Sequence, residues 1–388
     1  IRVSGETCMK LPSIFCYEPT VPRLATLRKL FDSNNRIIDT ALIIFFPAPN
    51  TFTGEDVVEF HVHGSKVIEK KIYEVLGNQK KTRVALPGEF TKRAFLNGKL
   101  DLTQAEGLND LINAETENQF QISMAQFEGA LSKKLNLWRD DLVFLLSKLE
   151  ALIDFSDEEL PFHVKQTFFE RTSRLISEMK VSIKFGNYGE RIRSGFLVTI
   201  IGRPNVGKSS LINFLSNRNV SIVTNMVGTT RDVLEVSLDL KGFPIILSDT
   251  AGVRKTNAKI EKIGIKRAIK KANKSDIVLF LSDNADFTVP ELNSVSNKIL
   301  IQTKTDLGKK FNNNALKISV KTREGIEELI NIICDHICSL SPKENALLTN
   351  ERHIQGVKRA LKALERCSEV DIDIYPELAA EDLRVAAT

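Results

Sequence analysis

Leu197-Val198-Thr199-Ile200-Ile201-Gly202-Arg203-Pro204-Asn205-Val206-Gly207-Lys208-Ser209 reads as a strand, a loop and the opening of a helix. The β-branched apolar run stops at Gly202, and Gly207-Lys208-Ser209 starts an amphipathic segment. The spacing Gly-x-x-x-x-Gly-Lys-Ser lets backbone amides wrap a triphosphate, and the helix N-terminus adds positive dipole. Lys208 has the reach for the β- and γ-phosphates, and the Ser209 hydroxyl is a magnesium ligand by type. Asn205, Val206, Gly207, Lys208, Ser209 and Ser210 are therefore the candidate phosphate contacts. A chance glycine-rich turn would lack the strand before it and the helix after it.

Four further strings follow in chain order, each at a strand end. Gly228-Thr229-Thr230-Arg231-Asp232 offers the Thr230 hydroxyl to magnesium when a γ-phosphate is present. A β-rich segment, Val233 to Leu240 and Pro244 to Leu247 around a turn at Lys241-Gly242, runs into Asp249-Thr250-Ala251-Gly252. There Asp249 suits a magnesium-bound water, and the Gly252 N–H suits the γ-phosphate. Both loops would reorganise when that phosphate leaves. The strand Ile299 to Gln302 ends in Thr303-Lys304-Thr305-Asp306. A carboxylate at Asp306 accepts from guanine N1–H and the N2 amine, which adenine does not offer in that geometry, while the Lys304 stem covers the base. After a strand at Ala315 to Ile318, the backbone of Ser319-Val320-Lys321-Thr322 can meet guanine O6. Five such strings in order predict a GTP-binding α/β fold.

Two positions depart from the small-GTPase pattern. Val253 stands where many carry a water-orienting glutamine. Glu261, eight residues on, is the best carboxylate for that task, or else a solvated helix residue. Thr303 stands where asparagine is usual, which predicts a looser base pocket.

The 388 residues suggest two or three domains, with 42% hydrophobic and 27% charged residues as in ordinary globular chains. A net charge of +5 is compatible with an RNA partner without arguing for one. Five cysteines at irregular spacing, with no His or Cys set completing a zinc site, read as reduced thiols. No signal-peptide pattern and no membrane-length apolar run is present.

Ahead of residue 98 the pattern is that of a small α/β domain, with strands at Thr40 to Phe46 and Val57 to Val62 and a helix from Ser65 to Leu76. Strand alternation would put Glu59, His61 and His63 on one face, read as a satisfied polar face rather than a metal site. Leu102, Ala105, Leu108 and Leu111-Ile112 begin a run of bundle helices, continued by Leu137 to Ile153 and residues 165 to 185. Leu347 to Cys367 resumes this pattern after the nucleotide segment. The expected organisation is multidomain α/β plus all-α: an N-terminal α/β domain at 1–97, a helical domain at 98–192 and 341–388, and a P-loop GTPase domain inserted at 193–340.

Strings outside the nucleotide motifs carry a resemblance. They are Phe52-Thr53-Gly54-Glu55-Asp56 with His63-Gly64, Pro87-Gly88-Glu89-Phe90, Arg93 to Leu102, and Asp154-Phe155-Ser156-Asp157-Glu158-Glu159. With Gly202 to Lys208 and Val227 to Asp232, they make the whole chain resemble the tRNA uridine-modification GTPases called MnmE or TrmE. The resemblance implies a folate-binding N-terminal domain, a helical domain and an inserted GTPase domain. It implies a GTP-hydrolysing enzyme that modifies tRNA together with a flavin-dependent MnmG (GidA) partner. The product would be an aminomethyl-type or carboxymethylaminomethyl group on C5 of the wobble uridine of certain tRNAs, its one-carbon unit drawn from a folate derivative.

Residues carry over at matching positions. Arg2, Glu59 and Lys99 match folate-contacting positions. Asn205 matches the side-chain ligand of a potassium ion, with Thr224, Met226 and Thr229 at positions that supply its other oxygens. Glu261 matches the residue that orients the attacking water. Dimerisation through the N-terminal domain is expected on the same ground.

The chain departs from the family at its ends. It opens at Ile1, where the family has a further strand, and nothing in it matches the family's Cys-x-Gly-Lys tail; Cys367 lies upstream in a helix. Two other readings stand beside the first: a regulatory GTPase switch of the ribosome-assembly type without folate chemistry, and a truncated, non-catalytic copy. The compartment expected is bacterial cytoplasm or mitochondrial matrix.

Overall fold

The computed structural model describes residues 1–16, 20–154, 162–218, 235–249, 272–284, 297–308, 314–341 and 346–388. The chain divides into two compact units, Ile1–Glu106 and Gly107–Thr388.

In the first unit, β1 (Arg2–Ser4), β2 (Thr26–Phe31), β3 (Ile37–Phe46) and β4 (Val57–His61) form an antiparallel sheet in the order β1-β4-β3-β2. The period of two along β3 buries Ala41, Ile43 and Phe45. A short helix, α1 (Pro12–Phe15), and α2 (Lys66–Gly77) close this face. α2 starts where the Ser65 hydroxyl accepts the Val67 N–H, and it buries Ile72, Val75 and Leu76 at helical spacing. The Phe15 and Phe60 rings meet edge to face at 5.2 Å. Next comes α3 (Glu89–Leu96), and α4 (Leu102–Ile112) runs across the division.

The second unit begins with α5 (Glu117–Phe127), α6 (Ala130–Asp154) and α7 (Phe162–Ser194). A capping box, in which Thr116 and Gln119 satisfy each other's backbone amides, sets the start of α5. From α7 the chain passes into a six-stranded sheet: β5 (Phe196–Gly202), β6 (Glu235–Leu240), β7 (Phe243–Asp249), β8 (Ile277–Ser282), β9 (Lys298–Gln302) and β10 (Leu316–Lys317). The order is β10-β9-β8-β5-β7-β6, with every pair parallel except β6 and β7. All six residues of β8 are buried, as a central parallel strand requires. Among the described residues, two helices accompany the sheet, α8 (Lys208–Arg218) and α9 (Ile326–Ser339).

The chain then returns to the bundle as α10 (Glu351–Glu369) and α11 (Pro376–Ala387). One core joins Trp138, Leu142, Leu145 and Leu149 of α6, Leu175 and Met179 of α7, and Ile354, Leu364 and Leu383 of the returning helices. The Gln126 side chain at the end of α5 pins the return by donating to the Leu347 carbonyl and the Thr349 hydroxyl, both at 2.8 Å. Asn118 at the other end donates its side-chain amide to the Gly242 carbonyl, 2.9 Å away at the β6–β7 turn. Among the described residues, no helix is long and apolar enough to cross a membrane.

Candidate nucleotide and N-terminal sites

In an open parallel sheet, ligands bind outside the carboxyl ends of the strands. β5, β8, β9 and β10 end together there. β5 delivers Gly202, where a Cβ would lie 2.4 Å from the Leu281 carbonyl of β8. Only glycine lets the loop leave the sheet so close to its neighbour. The loop then turns through left-handed residues, Asn205 at φ 63° and Gly207 at φ 100°. Leu211 N–H bonds back to the Gly207 carbonyl at 2.9 Å, so the helix begins at the loop's end and its first amides face the site. Lys208 is buried, with its ammonium donating to the Gly202 and Arg203 carbonyls at 2.8 Å each. It is thus held at the mouth of the loop it would serve. Ser209 and Ser210 are exposed.

β9 leads into the residues expected on the base side. Buried Thr303 donates its hydroxyl to the Val206 carbonyl at 2.6 Å, and its N–H to the Ser282 carbonyl at 2.8 Å. The Thr303 hydroxyl thus ties the loop after β5 to the strand ends. Lys304 takes a left-handed turn, φ 58°, and its ammonium donates to the Asn205 carbonyl at 2.6 Å, with Asp283 at 3.7 Å. Asp306 lies in the 3-10 turn Thr305–Leu307 and accepts the Ser319 hydroxyl on Oδ1 at 2.8 Å. Ser319 is buried, and its N–H donates to the Glu324 carbonyl at 3.0 Å. Val320 is half-buried and Lys321 exposed on the same loop.

The structure therefore gathers Asn205, Val206, Gly207, Lys208, Thr303, Lys304, Asp306 and Ser319 on one edge. Asp249 closes β7 opposite Ile200 by its backbone. Thr224, Met226, Thr229, Thr230, Thr250, Ala251, Gly252 and Glu261 lie outside the described residues. Asp283 is the partner that reading the motifs missed. The apolar run Ile277 to Leu281 was its signal, since a buried strand must end in the same rim.

In the first unit, β1 and β4 place Arg2 opposite Glu59, and the guanidinium meets Glu59 Oε1 at 2.7 Å. The Arg2 guanidinium carbon lies 5.8 Å from the Phe52 ring centroid and 5.9 Å from that of Phe90. Burial alone would raise the Glu59 carboxyl, but its bonds to Arg2 and His61 hold it below the usual range. Lys99 packs its stem against Gly54, and Asn97 donates to the Thr53 carbonyl at 2.7 Å. Arg93 bridges Glu89 at 2.9 Å and Glu55 at 3.1 Å, and Arg83 grips Glu89 at 2.7 Å. These pairs tie the loop that carries Phe52 to α3, which carries Phe90.

One expectation fails here: β4 stops at His61, so His63 leaves the strand face. Its Nδ1 and its N–H instead meet Asp39, at 2.8 and 2.9 Å. Among the described residues, no three His, Cys, Asp or Glu side chains are placed to hold a metal. None of the five cysteines forms a disulfide, and burial pushes the Cys367 thiol up to about 12.

Residues 1–99 match the family model of the GTP-binding protein TrmE N-terminus, and residues 102–388 match that of the MnmE helical domain. The tRNA modification GTPase MnmE of Beijerinckia indica subsp. indica is 42% identical, over 100% of this chain and 86% of that protein. MnmE of Brucella suis is 41% identical over 100% and 88%, and that of Maricaulis maris 42% over 94% and 84%. Through both matches and these relatives, the chain belongs to the MnmE (TrmE) family of tRNA modification GTPases, enzymes that bind and hydrolyse GTP.

Proposed function

We propose that the chain modifies the wobble uridine of certain tRNAs at C5, adding an aminomethyl-type or carboxymethylaminomethyl group together with an MnmG-type FAD protein. A folate derivative would supply the one-carbon unit, and GTP hydrolysis would drive a conformational cycle rather than the carbon chemistry. The domains of this reading are a folate-binding domain at 1–97, a helical domain at 98–192 and 341–388, and a GTPase domain at 193–340. The N-terminal domain would also form a homodimer. The bacterial relatives favour the bacterial cytoplasm.

The observation that carries the folate reading is the Arg2–Glu59 pair flanked by Phe52 and Phe90, with Lys99 on the adjoining turn. A carboxylate suits the N–H edge of a pterin, aromatic faces suit its ring, and a cation suits the folate glutamate. A pure regulatory switch has no use for such a set. Titrating the full chain with a reduced folate tests it. Binding lost in Glu59→Gln and Lys99→Ala is expected; equal binding by both variants would contradict the site.

On the nucleotide side, Lys208 would exchange its loop carbonyls for the β- and γ-phosphates. Asp306 and Ser319 would select guanine, with Lys304 covering the base. Ser209 and Thr230 would hold Mg2+, which neutralises phosphate charge. Asn205 would hold K+, with Thr224, Met226 and Thr229, adding positive charge where an arginine finger would otherwise stand. Glu261 would orient the attacking water.

A further inference from the structure

α10 divides sharply by face. His353, Ile354, Val357, Ala363, Leu364 and Cys367 are buried. At 100° per residue, Arg352, Gln355, Lys358, Arg359, Lys362 and Arg366 fall on the opposite arc of about 120°. All six are exposed. The row spans about 21 Å along the helix. Within it the sequence holds one acid, Glu365, which pairs with Lys180 at 2.7 Å.

Nearby cations of the bundle are neutralised: Arg171 and Arg174 by Asp141, Lys165 by Asp373, and Arg366 by Asp382. Lys358, Arg359 and Lys362 have no ion pair among the described residues. Lys358 and Lys362 are like charges one turn apart, an arrangement that weakens a helix unless something else neutralises it. A polyanion laid along the row would do so, and the family's substrate is one.

We propose that the outer face of α10 receives the sugar–phosphate backbone of the tRNA. Contacts of this kind supply affinity and orientation and leave base selection to other groups. Each neutralised phosphate releases counterions, so the face has a signature in the salt dependence of binding.

The test compares the full chain with K358E/R359E/K362E, titrated with an unmodified tRNA transcript over a range of KCl. The variant should bind at least ten-fold more weakly at low salt. The slope of log affinity against log salt should shrink by about 2, at roughly 0.7–0.9 per phosphate contact. Its thermal midpoint and its GTP hydrolysis without tRNA should not change. A charge-matched variant on α6, K133E/R139E/K148E, should keep its tRNA affinity. If the triple variant does not fold, the single variant Arg359→Gln serves, with a slope smaller by about 1. Unchanged affinity and slope would overturn the assignment. So would an equal loss in the α6 variant, which would make the effect one of net charge. A loss of flavoprotein binding with tRNA affinity intact would overturn it too, by giving the face to a protein.

Discussion

The buried Ser319 hydroxyl donates to Asp306 Oδ1 at 2.8 Å, fixing one oxygen of an exposed carboxylate from a separate loop. A carboxylate so held presents its acceptors in a set direction, which a freely rotating side chain would not.

Asp306→Asn replaces one acceptor by a donor. GTP affinity should fall about ten-fold or more, the cost of an unpaired polar contact in the base site. Preference should pass to xanthosine nucleotides, whose edge complements the amide. Ser319→Ala removes only the orienting bond, worth about 1 kcal/mol, so GTP affinity should fall roughly five-fold without a change of base preference. Competitive nucleotide titration distinguishes the two; unchanged GTP selectivity in Asp306→Asn would sink the base assignment.

Gly202→Ala puts a methyl group 2.4 Å from a backbone carbonyl that belongs to a central strand. Neither strand can retreat, so overpacking should cost about 1–3 kcal/mol and distort the phosphate loop. A thermal melt with and without GTP should show a lower midpoint and little nucleotide-induced rise.

What sequence made readable was local. The Gly202 to Ser209 spacing is a loop whose geometry depends on its own residues. Asp306 stood out because a guanine site would ask for a carboxylate just after an apolar strand. The partners that position these groups were not readable, because they arrive from elsewhere: Asp283 from just past the end of β8 to Lys304, and Phe52 and Phe90 to Arg2. His63 shows the same limit. Alternation put it with Glu59, but the strand ended two residues earlier and Asp39, from β3, claimed it.

Potassium dependence tests Asn205. Asn205 takes φ 63°, so Asn205→Gly removes the side chain while keeping the backbone turn available. Wild-type hydrolysis should be faster in KCl than in NaCl, and Asn205→Gly should erase the difference. Equal wild-type rates in both salts would remove the ion from this loop.

Acid should loosen the first unit through Glu89. Its bonds to Arg83, to the Leu86 N–H and to Arg93 hold its carboxyl far below the ordinary value of about 4.3. Stability from a depressed carboxylate is complete above the unfolded value and is lost as pH falls toward the folded one. Glu89→Gln should therefore lower the melting midpoint at pH 7, and the gap to wild type should narrow as the pH is taken down to about 3. A gap that stays constant with pH would mean that the charge of Glu89 does not stabilise the fold.

Retention of labelled GTP by the full chain in magnesium buffer, challenged with unlabelled GTP or ATP, asks most directly whether these strand ends hold a guanine nucleotide. Label should be retained, displaced by GTP and left in place by ATP. No retention, or displacement by ATP as readily as by GTP, would contradict guanine recognition by Asp306 and the GTPase mechanism built on it.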